Sequence, residues 1–217
     1  MYIAMGDSIT AGQSASSPYR TYVNLVGQHL TRFGPNTNGQ TARPEVFARP
    51  GWTSEALARA VKTRFSSRFH QAKFISIWVG GDDLAYAALA ISRGAPRSVL
   101  VDSLRHYARD LEFIVGTVRN VSSARIVLCT QYNPFPNTLL AVQGIQALND
   151  LTIRSAMRLH TGLAPAHMWF EGRQQQLIYG YQSGRIQNVL HNAGSPVHPN
   201  DAGHRVIANG LLPLLTM

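Results

Sequence analysis

Residues 1–10 read MYIAMGDSIT. Tyr2 to Met5 form a short apolar run with no polar interruption, the pattern of a strand buried on both faces. The run halts at Gly6, and Asp7-Ser8 follow at once. A serine at the tip of a first strand is either a turn residue or a nucleophile. What stands at the tips of the other strands decides between the two.

Working outward, short apolar runs alternate with helical patterns. YRTYVNLVGQHLTRF (19–33) has helical spacing, with Tyr22, Leu25, Val26, His29 and Leu30 on one face. EVFAR (45–49) reads as a second strand, and Thr53 caps a helix over SEALARAVKTRF. FISIWV (74–79) is a third strand, stopped by Gly80-Gly81, and a long helix follows Pro96. RIVLCTQY (125–132) is a fourth, ended by Asn133-Pro134; residues 139–160 are helical, and GLAPAHMW (162–169) is a fifth strand. Helices near 172–190 and over 201–215 close the chain, the last capped by Asn200. This alternation predicts an α/β three-layer sandwich, a five-stranded parallel sheet with helices on both faces, as a single domain over 1–217. In such sheets ligands bind beyond the carboxyl ends of the strands. Ser8, Gly51 and Asp82-Asp83 all fall just after predicted strands.

Composition narrows the function. The chain has 217 residues, 45% of them hydrophobic, so a full core is available. Its net charge of +9 is almost all arginine, Lys62 and Lys73 being the only lysines. The arginines are scattered singly, which reads as a solvated basic surface and not a nucleic-acid site. The one cysteine, Cys129, sits inside an apolar run, which excludes a disulfide framework and reads as a buried inert thiol. No apolar stretch reaches the roughly 20 residues of a membrane span. No signal peptide precedes the GDS stretch, so the sequence reads as cytoplasmic.

Taken in order, these strand tips resemble the GDSL, or SGNH, esterases and lipases over essentially the whole chain. Gly6-Asp7-Ser8-Ile9-Thr10 is similar to the block that carries the nucleophile. Gly51 in ARPGWTSEAL is similar to the second-block glycine. GGDDL (80–84) stands where the family has Gly-x-Asn-Asp, and PVHPNDAGHRVIA (196–208) is similar to the last block. The resemblance implies a flavodoxin-like SGNH hydrolase fold and a serine hydrolase without cofactor or metal. Ser8 would form an acyl-enzyme, with His198 taking its proton and later returning it to the leaving group. The oxyanion donors would be the Ser8 and Gly51 amides and the side chain at 82. Substrates implied are small esters, lipids or acylated sugars.

The sequence departs from the family at two positions. Ser195 stands three residues before His198, where the family has the triad aspartate, so Ser195, a carbonyl or water would have to meet Nδ1. Asp82 stands where the family has an amide donor. It would donate only if protonated, with burial or Asp83 beside it raising its pKa, or else remain ionised and steady the His198 imidazolium. Asp7, Asp83 and Ser195 are read as supporting the site. Two alternatives stay open: a catalytically weak or inactive domain that binds an ester or glycan, and a metal-dependent phosphoesterase using Asp7, Asp82 and Asp83. Of the other histidines, His29 reads as facing a helix core and His70, His106, His160 and His204 as surface residues. His167 could border the cleft, and His191 is unassigned. Tyr132, Phe135, Trp169 and Phe170 are candidates for an apolar acyl pocket.

Overall fold

The computed structural model describes residues 1–33, 43–63, 67–190 and 196–216. In chain order the elements are β1 (Tyr2–Gly6), α1 (Tyr22–Phe33), β2 (Glu45–Ala48), α2 (Ser54–Thr63), β3 (Phe74–Trp78), α3 (Gly81–Ser92) and α4 (Ser98–Arg119). They continue with β4 (Arg125–Cys129), α5 (Leu139–Arg158), β5 (Gly162–Ala164), α6 (Ala166–Phe170), α7 (Gln174–Leu177), α8 (Gln187–Leu190) and α9 (Asp201–Thr216). The five strands are all parallel, in the order β2-β1-β3-β4-β5. This is the α/β architecture that the alternation predicts.

The pleat of β1 divides the core in two. Tyr2 and Ala4 pack with Tyr22, Val23 and Val26 of α1 and Ile207, Leu211 and Leu215 of α9. Ile3 and Met5 point the other way, among Leu57 and Val61 of α2 and Leu111, Ile114 and Val115 of α4. Successive side chains of a strand face opposite sides, so an unbroken apolar run is what a two-sided sheet requires. The helices show the matching period: Tyr107, Leu111, Ile114, Val115 and Val118 form the buried stripe of α4. The expected caps are in place. Thr53 Oγ1 accepts the Ala56 N–H at 3.2 Å, and Asn200 Oδ1 accepts those of Ala202 and Gly203 at 2.9 and 3.0 Å.

Several local expectations are corrected. The GGDDL stretch opens a helix, α3, that the strand-stop reading of Gly80-Gly81 passed over. The fifth strand ends at Ala164, and residues expected to extend it form α6 after Pro165. The helical expectation near 172–190 reduces to the single turns α7 and α8. His204 is fully buried, stacked on Tyr22 with ring centroids 6.2 Å apart, while His29 is exposed. Cys129 is buried, as expected. Among the described residues no helix is long and apolar enough to cross a membrane.

The exit of β1 is set by what Gly6 lacks. A Cβ there would lie 2.0 Å from the Trp78 carbonyl oxygen and 2.5 Å from Thr10 Oγ1, because β1 and β3 end side by side at Gly6 and Trp78. By contrast, nothing lies within 4 Å of a Cβ built on Gly116, inside α4. Gly6→Ala should therefore lower unfolding stability by about 3 kcal/mol. Gly116→Ala should raise it by about 0.5–1 kcal/mol. Denaturant titrations of the two variants check both signs.

Candidate active site

Ser8 follows β1 in a tight turn. The Asp7 carbonyl accepts the Ala11 N–H at 2.9 Å, and the Ser8 carbonyl accepts that of Gln13 at 3.0 Å. Asp7 Oδ1 accepts the Ile9 N–H at 3.0 Å, so its carboxyl braces the turn from beneath. Asp7 is buried, and burial, reinforced by Asp82 nearby, pushes its carboxyl up to about 8. Burial thus favours its neutral form.

His198 reaches the same point from a loop 190 residues away. Its carbonyl accepts the Tyr179 N–H at 2.9 Å, Pro199 bridges to Ile178, and the Asn200 N–H reaches the Leu177 carbonyl at 2.9 Å. The Tyr132 hydroxyl donates to the Val197 carbonyl at 2.5 Å. Held this way, His198 Nε2 lies 2.9 Å from Ser8 Oγ. Burial alone pushes the imidazole down to about 4, with no offsetting carboxylate. Among the described residues, no Asp or Glu hydrogen-bonds to His198. Asp201, the nearest acid in sequence, turns away to accept the amide and hydroxyl of Ser16, at 2.8 and 2.6 Å. Ser195, expected behind the ring, and His191 lie outside the described residues.

The third strand end supplies two acids with different surroundings. Asp82 and Asp83 occupy the first turn of α3, after Gly80 at φ +119°. Asp82 is partly buried, and its Oδ2 is fully buried without a hydrogen-bond partner. Burial and then Asp83 push its carboxyl up to about 6, while the facing Gly51 amide works the other way. Gly51 sits at φ +80°, a left-handed turn that a side chain would strain. Among the described residues neither the Gly51 nor the Ser8 amide pairs with a backbone carbonyl, and the Gly51 N–H faces the Asp82 carboxyl. Asp83 turns from Asp82 and accepts the amide and hydroxyl of Ser54, at 2.9 and 2.6 Å. It ties the start of α2, and with it the Gly51 turn, to α3. Among the described residues no three His, Cys, Asp or Glu side chains are grouped to hold a metal ion.

The structure thus brings together Ser8, His198, Asp7, Gly51 and Asp82, with Asp83 one layer behind. It does not do so for two of the four aromatic residues expected to line an acyl pocket. Tyr132 and Phe170 are fully buried and stacked at 4.1 Å in the core. Tyr132 serves the site through its hydroxyl instead. His167 is committed to Thr130 Oγ1 at 2.7 Å. Sequence reasoning missed the anchoring of the His198 loop by Tyr132, since a carbonyl 65 residues away leaves no signal in the chain.

A profile of the GDSL-like Lipase/Acylhydrolase family matches residues 4–206. No curated protein matches in sequence. Among solved structures, the lipase Lip_vut3 from a goat rumen metagenome is 19% identical, with a TM-score of 0.80 over 99% of this chain and 97% of that one. An acetylxylan esterase of Geobacillus stearothermophilus is 17% identical, with a TM-score of 0.69 over 100% and 94%. Phospholipase A1 of Streptomyces albidoflavus NA297 is 16% identical, with a TM-score of 0.65 over 99% and 97%. At these identities the likeness is one of fold. The profile match, running from within the first strand into the last helix, shows that the chain belongs to the GDSL-like lipase/acylhydrolase family.

Proposed function

We propose that the chain is a serine hydrolase of carboxylic esters, acting as one catalytic domain. The observation that carries this reading is the 2.9 Å approach of His198 Nε2 to Ser8 Oγ at the carboxyl edge of a parallel sheet. A serine hydroxyl is a poor nucleophile until a base takes its proton. A neutral imidazole at hydrogen-bond distance can do so and then protonate the departing alcohol. Ser8 Oγ bonds to the ester carbon, the alkoxide leaves with the proton from His198, and water repeats the sequence on the acyl-enzyme. With no carboxylate behind it among the described residues, His198 gains its charge uncompensated, which slows both steps. Short acyl esters, lipids and acetylated sugars define the panel to be tried.

Asp82 serves this chemistry as a protonated donor in the oxyanion hole, beside the Ser8 and Gly51 amides. Two observations support this over its stabilising the imidazolium. Burial alone accounts for the lowered His198, with no contribution from Asp82. The buried Asp82 Oδ2 also has no hydrogen-bond partner among the described residues, and a buried oxygen without a donor favours the protonated carboxyl. Ionised, Asp82 would repel the oxyanion and retain the Gly51 N–H.

A fluorophosphonate should label Ser8 covalently. Ser8→Ala should abolish labelling and cut kcat by about 10³-fold or more. Labelling elsewhere, or none with wild type and no hydrolysis across the panel, would instead favour a domain that binds esters or glycans without cleaving them.

The pH dependence follows from the two shifted groups. Activity needs His198 neutral, above about 4, and Asp82 protonated, below about 6, so kcat/KM should peak near pH 5. At pH 7, one unit above the Asp82 value, about a tenth of the molecules keep that proton. Asp82→Asn should therefore remove the part of the basic limb that Asp82 sets and raise turnover at pH 7 about 10-fold. Profiles of the two proteins that coincide would remove Asp82 from the mechanism.

A further inference from the structure

Asp110 lies on α4, outside every strand-end motif. In the fold its Oδ2 stands 2.9 Å from Ser54 Oγ, and Asp83 Oδ1 stands 2.6 Å from the same oxygen. A serine hydroxyl has a single proton. It donates to one of these carboxyl groups and can only accept from the other. Were both ionised, one carboxylate oxygen would face the hydroxyl lone pairs at hydrogen-bond distance, at a part-buried position that water screens only in part. One of the two acids must carry a proton. Asp83 is the ionised one, because its Oδ2 also takes the Ser54 N–H at 2.9 Å, so each of its oxygens faces a donor. Among the described residues, the hydrogen-bond partner of Asp110 is the Ser54 hydroxyl alone.

We propose that Asp110 carries a proton in the folded protein and donates it to Ser54 Oγ, and that the chain Asp110–Ser54–Asp83 is a positioning device for the Gly51 turn. Ser54 is three residues past Gly51, and Asp83 is the neighbour of Asp82. The chain therefore fixes two oxyanion donors relative to each other and anchors both to α4. The Ser103 hydroxyl, also from α4, adds a bond to the Asp83 carbonyl at 3.1 Å. The groups facing Asp110 are Glu55 from α2, Asp83 across Ser54 from α3, and His106 and Arg109 on its own helix. Burial outweighs the Ser54 bond, and Glu55 opposes His106 and Arg109, so the carboxyl is held above its ordinary value. The part concerning Gly51 rests on the reading of that amide as an oxyanion donor.

The test follows the aspartate carboxyl ¹³C signals against pH in the wild type and in Asp110→Asn, whose amide can still donate to Ser54 Oγ. The signal of Asp110 should titrate above the ordinary aspartate value of about 3.9 and be missing from the variant. A titration at or below that value overturns the proposal, and the wild type alone decides this if the variant does not fold. Stability should follow. An aspartate raised in the folded state stabilises fully below its unfolded value and loses that contribution as pH rises through the folded one. Asp110→Asn should thus melt about 2–4 °C above the wild type at alkaline pH, with the gap closing toward acid pH. A gap independent of pH counts against the proton on Asp110. Positioning is read in an Asp82→Asn background, where Asp82 no longer titrates. There kcat should fall toward alkaline pH at steady KM, and adding Asp110→Asn should flatten the fall. An unflattened profile overturns the positioning role. Absence of any ester hydrolysis sinks the esterase reading instead, while the carboxyl titration still judges the proton.

Discussion

Everything at the carboxyl edge depends on how closely β1 approaches β3. Gly6 and Trp78 are partners in the ladder, and the Asp7 amide still reaches the Trp78 carbonyl at 3.3 Å. No side chain fits between them. That closeness sends the chain into its turn immediately after the last paired residue, so Ser8 sits at the rim and not above it. The neighbouring exit is equally fixed. The Trp78 indole donates to Gln131 Oε1 at 2.7 Å, and Gln131 exchanges backbone bonds with the Asn149 side chain at 2.7 and 2.8 Å. Buried polar groups without such partners would cost more than the bonds return. The β3 and β4 ends are thereby locked to α5, and Tyr132, next along β4's exit, is placed to hold the His198 loop.

The second governing feature is the crowding of acids at one low-dielectric edge. Asp7, Asp82 and Asp83 come from two strand ends, and burial penalises charge on each. The protein answers differently at each position. Asp7 favours its neutral form and braces a turn. Asp83 is given two donors by Ser54 and can remain ionised. Asp82 is given no hydrogen-bond partner for Oδ2, which leaves it suspended between the two states in the weakly acid range. Meanwhile the His198 imidazole is part-buried and strongly disfavours charge. Acid and base are thus carried past each other on the pH scale, and what sets this is burial and spacing, not an ion pair.

Much of this was legible in the chain. Alternating short apolar runs and helical stripes specify a two-sided parallel sheet, because period 2 and period 3.6 patterns cannot exchange roles. The caps at Thr53 and Asn200, the buried thiol of Cys129 and the strand-end positions of Ser8, Gly51 and Asp82 all follow from local chemistry. Where local reading failed, the competing term was tertiary. Gly80-Gly81 do follow the end of β3, as expected, but a φ of +119° at Gly80 beside the Tyr107 ring also lets them launch α3, which local reading passed over. His204 has the spacing of a surface helix residue, yet α9 turns it onto Tyr22. Tyr132 and Phe170 look like pocket lining, yet they stack on each other in the core.

By itself, then, the sequence determined the architecture, the order of the strand-end motifs and the two departures at Asp82 and Ser195. Those properties are written in side-chain type and short-range spacing. Only the tertiary structure decided that His198 meets Ser8 at 2.9 Å, that Asp83 belongs to Ser54, and that Asp110 joins them. Hydrogen bonds and proton affinities depend on separations of a few ångströms between residues tens to hundreds of positions apart, and on how much water is excluded around them. No local pattern encodes either quantity, since both arise only when the layers close.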